Sequence, residues 1–375
     1  MPRSGYDEVT LITGFPNFQA RKIVEHILQA EPRTLLYLVV RSKFLDEAEE
    51  HLDRLPRQQR ERVIVLEGDA AAMDLGLSGK EHRKLAAELD RIHHMAQVTY
   101  LGVDRETAEQ LNVRGTQEVI ELAKACSSLK CMVLHSTAHV AGNRTGLVRE
   151  DELEKGQTFR NVVEETRARA ERLARGAMSK VPIAVVRPTT IIGDSKTGEV
   201  DRFDGPYLLI LLIVTSPAEI ALPLPGKGDV PLHLVPIDYV IEASHAIGRH
   251  PRAPGKTFHL VDPNPLTAKQ VFELVARAGG KRTPRGFIPT NLTKALLRTP
   301  GLERFVKSPR AFVEQLATQV RFDARNTEAI LAGTGIVCPP FESYVDQLVA
   351  YVRERVREKR ERREQEAAEV EDPLS

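Results

Sequence analysis

The chain has no tryptophan, and Phe, Tyr and Trp together make up only 5% of its 375 residues. Its three cysteines, Cys126, Cys131 and Cys338, have the spacing of neither a metal site nor a disulfide framework, which predicts reduced thiols. The longest apolar run, residues 208–214, is too short to span a bilayer. No apolar signal segment follows Met1, so the expected location is cytoplasmic.

Charge of one sign is also missing. The sequence has 53 Lys and Arg against 52 Asp and Glu, a formal net charge of +1. This balance gives no electrostatic case for a nucleic-acid partner. The apolar fraction of 42% suffices for a globular core, and the length predicts one large domain or two moderate ones.

Short β-rich runs alternate with helical patterns over the first half of the chain. The predicted strands are residues 9–12, 35–40, 63–66, 98–101, 131–134 and 183–186, and the helices between them are 44–55, 80–89, 106–126 and 159–175. This alternation predicts an α/β fold with a Rossmann-type doubly wound parallel sheet. Right-handed crossovers would place the carboxyl ends of the strands along one ligand-binding edge.

The first candidate binding element is a strand, turn and helix over residues 9–28. Gly14 and Pro16 break the apolar strand, and apolar residues then recur at helical spacing at Ile23, Val24, Ile27 and Leu28. The N-terminus of a helix in this position offers N–H groups to a dinucleotide pyrophosphate. Asn17 stands where a second glycine usually lets the pyrophosphate approach. Asn tolerates a left-handed backbone better than most residues, but its side chain occupies ligand space. A turn that binds nothing is the alternative.

The pattern divides the chain into a dinucleotide-binding part and a substrate-type part. The first comprises residues 1–200, with 234–262 returning to it, and the second comprises 201–233 and 263–355. Helices are predicted over 267–278, 290–305 and 341–356 in this smaller, mainly helical region. Residues 356–375 are almost wholly charged, and we expect a solvated helix over 357–371 that frays into a disordered tail.

Several motifs follow one another in a fixed order. They are Thr13-Gly14-Phe15-Pro16, Asn112-Val113-Arg114-Gly115-Thr116, the stretch 136–146 that begins Ser-Thr-Ala-His, the stretch 187–199 that begins Arg-Pro, and Val235-Pro236-Ile237-Asp238-Tyr239-Val240. Together they resemble the extended short-chain dehydrogenase/reductases, and within them the thioester-reductase and fatty acyl-CoA reductase branch, also called male-sterility-like proteins. The order and spacing of the motifs extend the resemblance to about Arg353. It implies an ancestral NADP-dependent reductase of acyl thioesters or carbonyl compounds.

The resemblance also implies residues that hold NADP. Arg41 would meet the 2′-phosphate, Asp69 would cap the adenine amino group, and Ala96 would let the ribose approach. The alternatives are a surface arginine at Arg41 and a helix N-cap at Asp69. The other implied cofactor positions are Thr13, Gly14, Phe15, Asn17, Phe18, Asn112, Arg167, Pro188 and Thr190. No metal is expected.

The catalytic pattern of the family is changed in this chain. Its members carry Tyr-x-x-x-Lys on a helix, where Tyr exchanges the proton of the carbonyl oxygen and Lys lowers the Tyr pKa. Val163 stands at the Tyr position and Arg167 at the Lys position. Valine cannot transfer a proton, and arginine has a higher pKa and a planar fork. Ser136 is the retained serine, and His139 is a candidate proton donor near neutral pH. The alternatives are a strand-end serine and a loop histidine with structural roles only.

Three functions follow from these residues. The favoured one is a catalytically impaired reductase, because both the Tyr/Lys pair and the phosphate turn are altered. The alternatives are a working NADP-dependent oxidoreductase that uses Ser136 and His139, and a non-catalytic scaffold or NADP-sensing partner protein that has kept or lost its cofactor. The expected partners are an acyl or carbonyl small molecule and a protein partner or second copy of the chain.

Overall fold

The computed structural model describes residues 5–203, 206–216, 224–225, 228–288 and 319–371. The strands are β1 Glu8–Thr13, β2 Thr34–Val40, β3 Val63–Glu67, β4 Arg91–His94, β5 Cys131–His135, β6 Gly146–Val148, β7 Ile183–Pro188, β8 Thr190–Ile192, β9 Leu224–Pro225, β10 Leu234–Pro236, β11 Thr257–Leu260, β12 Phe287–Ile288 and β13 Val320–Phe322. The helices are α1 Phe18–Ala30, α2 Leu45–Leu52, α3 Arg57–Arg60, α4 Gly79–Glu88, α5 Arg105–Ala108, α6 Gly115–Ala125, α7 Val162–Ala177, α8 Pro206–Thr215, α9 Ile237–Arg249, α10 Ala268–Ala278, α11 Arg325–Leu331 and α12 Val345–Glu371.

A seven-stranded sheet organises the first part of the chain. Its strand order is β11-β7-β5-β4-β1-β2-β3. All neighbouring pairs are parallel. The order reverses between β1 and β4, the switch point at which doubly wound sheets bind ligands. The predicted α/β fold with a doubly wound sheet is confirmed, and the carboxyl ends of β1, β4, β5 and β7 lie at one edge.

Burial on both faces explains why the central strands read as continuous apolar runs. Every residue of β1, β2, β5 and β7 is buried. Parallel sheets covered by helices have this pattern because neither face meets water. Helix α1 buries an apolar stripe of Ile23, Val24, Ile27 and Leu28, at the spacing that the sequence predicted.

The segment before β5 departs from the sequence prediction. Residues 98–101, predicted as a strand, form no strand, and the sheet instead uses β4 at Arg91–His94. Two of the four β4 residues are histidines, so a prediction based on apolar runs does not identify this segment as a strand. The predicted long helix is present as α5 and α6 joined by a π-helical segment, Glu109–Arg114.

The chain forms two compact units. The first comprises residues 1–191, 238–263 and 319–338, and the second comprises 192–237, 264–318 and 339–375. Residues 319–338 therefore belong to the unit that holds the sheet, whereas the sequence analysis placed them in the substrate-type part. Strand β13 pairs with β6. The buried Glu150 carboxylate accepts the N–H of Asn326 over 2.6 Å and the hydroxyl of Thr327 over 3.0 Å.

The second unit has its own helical core. Apolar residues of α8, α10 and the first turns of α12 pack together, including Tyr207, Phe272 and Leu348. Helix α12 continues to Glu371, so a helix is present over 357–371 as the charge pattern predicted. The helix predicted over 290–305 lies outside the described residues. Among the helices that the structure describes, none combines the length and apolarity needed to cross a bilayer.

Candidate functional site

The turn after β1 depends on a glycine. Gly14 has a φ of +91°, and a Cβ at this position would lie 2.6 Å from the carbonyl carbon and oxygen of Met95. Only glycine adopts that conformation readily and has no Cβ to clash with the Met95 carbonyl. Gly14 therefore lets the turn pack against the residue that follows β4. Phe15, next in the turn, is buried.

Asn17 caps α1 with its side chain. Its Oδ1 accepts the N–H of Ala20 over 2.8 Å, and its Nδ2 donates to the Met95 carbonyl over 3.1 Å. Its φ is −57°, so the left-handed conformation considered from the sequence is not used here. The carboxamide satisfies one of the N–H groups at the end of the helix where a pyrophosphate would bind.

Phe18 begins α1 and carries positive charge close to its ring. The Arg21 guanidinium carbon and the Lys22 Nζ each lie 5.6 Å from the ring centroid. These cations and the helix N-terminus make the start of α1 electropositive.

Thr13 organises the carboxyl ends of β1 and β4. Its Oγ1 accepts the N–H of Ala96 over 3.2 Å and lies 2.8 Å from Nδ1 of His94. The other ring nitrogen, Nε2, lies 3.1 Å from Oγ1 of Thr116, and that hydroxyl donates to the Asn112 carbonyl. Since the Thr116 proton is committed, His94 donates from Nε2 and is neutral. Burial lowers its pKa to about 3.

Arg41 and Asp69, two predicted cofactor residues, contact each other. The Arg41 Nε lies 3.1 Å from Oδ2 of Asp69, with both side chains partly exposed. The other carboxylate oxygen of Asp69 accepts the N–H of Ala71 over 3.0 Å, as in an Asx turn rather than a helix N-cap. Lys43 lies over the Phe44 ring at 4.8 Å. Two basic side chains, Arg41 and Lys43, thus lie just after β2, and the charge of Arg41 is paired with Asp69.

Asn112 joins three elements. It lies fully buried in the π-helical segment, accepts the N–H of Val98 over 2.8 Å, and donates to Oγ1 of Thr166 over 2.9 Å. Thr166 immediately precedes Arg167 on α7. Asn112 therefore positions both the exit of β4 and the helix that carries the altered catalytic pair, and π-bulges are frequent at functional sites.

Val163 and Arg167 lie one turn apart on α7, and both are buried. Arg167 Nη2 donates to the His135 carbonyl over 2.6 Å. Burial lowers the pKa of Arg167 to about 10, although nearby Glu171 partly offsets that effect. Arg167 thus remains a cation at neutral pH, beside an apolar side chain that has no proton to give.

The Ser136 hydroxyl is already engaged. Its Oγ donates to Oε2 of Glu171 over 3.0 Å. The same carboxylate accepts two bonds from Arg187, at 2.6 and 2.9 Å, and one from Arg175 at 2.9 Å. Burial alone would raise the pKa of Glu171, but Arg187 and Arg175 hold it below its ordinary value. Glu171 was missed in the sequence analysis. Its spacing of four from both Arg167 and Arg175 is the available signal.

His139 and Thr190, which the resemblance assigned to one site, are in contact. The His139 Nε2 lies 3.2 Å from the Thr190 Oγ1. The Thr137 hydroxyl donates to the Pro188 carbonyl over 3.4 Å, which links the loop after β5 to the end of β7. These two loops lie side by side because β5 and β7 are neighbours in the sheet.

Three buried polar atoms at this edge have no partner within the described residues. They are Oε1 of Gln97, Nε of Arg167 and Oγ1 of Thr189. Gln97 follows β4, Thr189 follows β7, and Arg167 bonds to the end of β5. Buried polar groups are normally satisfied, so unpaired donors and acceptors on three neighbouring strand ends fit a polar ligand. Ribose hydroxyls and a carboxamide, the groups at the nicotinamide end of a dinucleotide, match this donor and acceptor set.

Comparisons with known proteins agree with this geometry. Residues 12–244 match the male sterility protein family. Fatty acyl-CoA reductase wat of Drosophila melanogaster is 24% identical over 279 residues, which cover 63% of this chain and 53% of the relative. One chain of the linear gramicidin synthase of Brevibacillus parabrevis is 26% identical over 288 residues, which cover 72% of this chain and 5% of the relative. This chain therefore spans about half of that reductase and a small part of the synthase chain.

A solved structure shares the fold. The terminal R domain from the myxalamid PKS-NRPS biosynthetic pathway superposes with a TM-score of 0.79 at 24% identity, over 94% of this chain and 92% of that domain. The resemblance stated from the sequence motifs is confirmed. The chain belongs to the male sterility protein family, in the fatty acyl-CoA and thioester reductase branch of the NAD(P)-binding extended short-chain dehydrogenase/reductases.

Proposed function

We propose that this protein binds NADP at the carboxyl edge of its sheet and transfers hydride slowly or not at all. One observation carries the proposal: the helix position of the catalytic tyrosine holds the buried Val163, and the Ser136 hydroxyl is bonded to Glu171. When the carbon of a carbonyl group accepts a hydride, its oxygen takes up a proton, and neither side chain offers one.

Different residues would bind the two ends of the cofactor. Arg41 would pair with the 2′-phosphate, because its guanidinium is half-exposed and needs only to exchange the Asp69 carboxylate for a phosphate. Gln97 would meet the ribose at the other end, since its Oε1 is buried and unpaired there. NADPH, when bound, supplies the hydride.

The altered pair affects proton supply more than binding. Arg167 keeps the positive charge of the family lysine, so ribose hydroxyls still have a donor. Val163 removes the general acid, whose loss commonly lowers rates by about 10² to 10⁴-fold. The expected result is a protein that holds its cofactor and a small acyl or carbonyl ligand with little turnover.

Calorimetry of NADPH with the purified 375-residue chain tests binding, and we expect a dissociation constant in the micromolar range. Turnover is followed as NADPH absorbance with acyl thioesters and aldehydes. The double variant Val163→Tyr with Arg167→Lys should raise turnover by about 10² to 10⁴-fold. Val163→Phe is its matched control, since it adds the ring without the hydroxyl. Wild-type turnover equal to that of the double variant would refute impairment, and no heat at millimolar NADPH would refute cofactor binding.

A working enzyme that uses His139 is the competing function. It has one favourable observation, the contact between His139 Nε2 and Thr190 Oγ1 at the site edge. If His139 supplied the proton, His139→Ala would abolish turnover and leave NADPH affinity intact. We expect any residual turnover to change less than threefold in this variant.

A further inference from the structure

Arg167 is a buried cation, and within the described residues no carboxylate forms a hydrogen bond with it, although Glu171 lies close enough to offset part of the effect of burial. Its side chain is 8% exposed. Within the described part of the chain it bonds one neutral group, the His135 carbonyl, and its Nε has no partner. Burial of a charge that is not paired with an opposite charge is strongly unfavourable. A guanidinium that is retained at this cost calls for an anion.

The nearest carboxylate is already occupied. Glu171 lies one turn further along α7, but its two oxygens accept hydrogen bonds from Arg187, Arg175 and the Ser136 hydroxyl. This carboxylate therefore serves two other guanidinium groups. Glu164, the other buried acid on α7, is bonded to Arg160. Each of these two carboxylates is thus paired with guanidinium groups other than that of Arg167.

The neighbouring imidazoles do not change this balance. His94 and His135 are buried, and burial lowers the pKa of each to about 3, so both are neutral at neutral pH. They add no negative charge that could compensate Arg167. They also add no positive charge that would attract a second negative charge to the same place.

We propose that Arg167 anchors a carboxylate ligand, a monoanion with an apolar body, at the carboxyl edge of the sheet. The planar guanidinium forms paired hydrogen bonds with a carboxylate, and Nε–H is available for one of them. Val163, on the same face of α7, offers an apolar contact to the carbon next to the carboxylate. One cation matches one negative charge, which favours a carboxylate over a doubly charged phosphate.

This inference rests on the proposed function, because it names the ligand class of the same site. It also accounts for the loss of the tyrosine. A carboxylate is a poor hydride acceptor, so a protein that holds one needs a strong hydrogen-bond donor rather than a proton donor. The ligand is bound and released unchanged.

The test is the melting temperature of the 375-residue chain, followed by circular dichroism with octanoate, octan-1-ol or inorganic phosphate. Octanoate should raise the melting temperature of the wild type, as a ligand of the native state does, and octan-1-ol should not. Arg167→Met should abolish the octanoate shift, and Arg167→Lys should retain part of it. Arg169→Gln, on the same helix but partly exposed and bonded to Glu109, is the matched control and should keep the full shift.

The melting temperature of the ligand-free Arg167→Met variant, compared with that of the wild type, distinguishes a ligand-binding role of Arg167 from a structural one. Removal of an uncompensated cation should leave the ligand-free Arg167→Met protein at least as stable as the wild type. A lower melting temperature together with an undiminished octanoate shift would overturn the proposal. A larger shift with phosphate than with octanoate would overturn the carboxylate assignment. NADPH calorimetry on the same samples separates the two proposals, because octanoate binding without NADPH binding removes only the cofactor assignment.

Discussion

Ser136 and Glu171 share a buried hydrogen bond, in which the serine Oγ donates to the carboxylate over 3.0 Å. This bond joins the end of β5 to α7 and commits the hydroxyl to a structural network. Arg187, which is 1% exposed, completes the network with two bonds to the same carboxylate. Glu171→Gln should lower the free energy of unfolding by about 3–5 kcal/mol, because it leaves Arg187 buried without a counter-charge.

Urea unfolding measures this effect. Ser136→Ala removes one hydrogen bond and should cost only about 1 kcal/mol. Glu154→Gln, which removes an exposed partner of Arg172, is the control and should change little. A cost below about 1 kcal/mol for Glu171→Gln would show that Arg187 is satisfied in another way.

Asn17→Gly should tighten NADPH binding. The variant frees the Ala20 N–H and removes the side chain from the end of α1. One additional hydrogen bond to a charged group predicts an affinity gain of about tenfold or more. The loss of the cap costs only a few tenths of a kcal/mol when glycine replaces it. Calorimetry gives the comparison, and Asn17→Asp should weaken binding because it adds negative charge. An unchanged affinity in Asn17→Gly would place the pyrophosphate away from this helix.

Arg41→Glu should distinguish the two nicotinamide cofactors. The substitution puts a carboxylate beside Asp69 where the 2′-phosphate would bind. We expect NADPH affinity to fall by about tenfold or more and NADH affinity to change less than threefold, because only NADPH carries that phosphate. Arg57→Glu, which reverses an exposed charge paired with Glu61, is the control. Equal losses for both cofactors would contradict the assignment of Arg41 to the phosphate.

The fold could be predicted from the sequence because its signals are local. Apolar runs such as 35–40 and 183–186 mark strands buried on both faces, and the motif order fixes the strand-helix sequence. Strand β4 could not be found this way, because His93 and His94 are polar by type and become strand residues only through pairing with β1 and β5.

The sequence indicated where the candidate site residues lie in the fold, but it did not indicate which side chains they contact. The resemblance to the family assigned Arg41, Asp69, Ser136, His139 and Arg167 to the candidate site, and the structure shows them after strands or on α7. It could not give the bonds from Arg41 to Asp69 or from Ser136 to Glu171, because both cross between elements far apart in the chain. Asn17 shows the same limit, since its effect on the turn depends on the Met95 carbonyl.

Buried histidines should make the protein sensitive to mild acid. Burial lowers the pKa of His94, His135 and His259 to about 3 each. The unfolded chain takes up these protons below about pH 6.5, whereas the folded chain stays neutral down to about pH 3. The unfolded state therefore binds more protons as the pH falls, and the free energy of unfolding decreases. Each histidine contributes up to about 2 kcal/mol of this loss between about pH 6.5 and 5.

The variant His94→Gln measures how much the protonation of one histidine contributes to this loss of stability. Glutamine can still donate to Thr116 from the position of Nε2, but it does not titrate, so the loss of stability from about pH 7 to 5 should be smaller than in the wild type by up to about 2 kcal/mol. Urea unfolding followed by circular dichroism suits a chain without tryptophan. The same pH dependence in His94→Gln and the wild type would mean that His94 is not buried neutral in the folded protein.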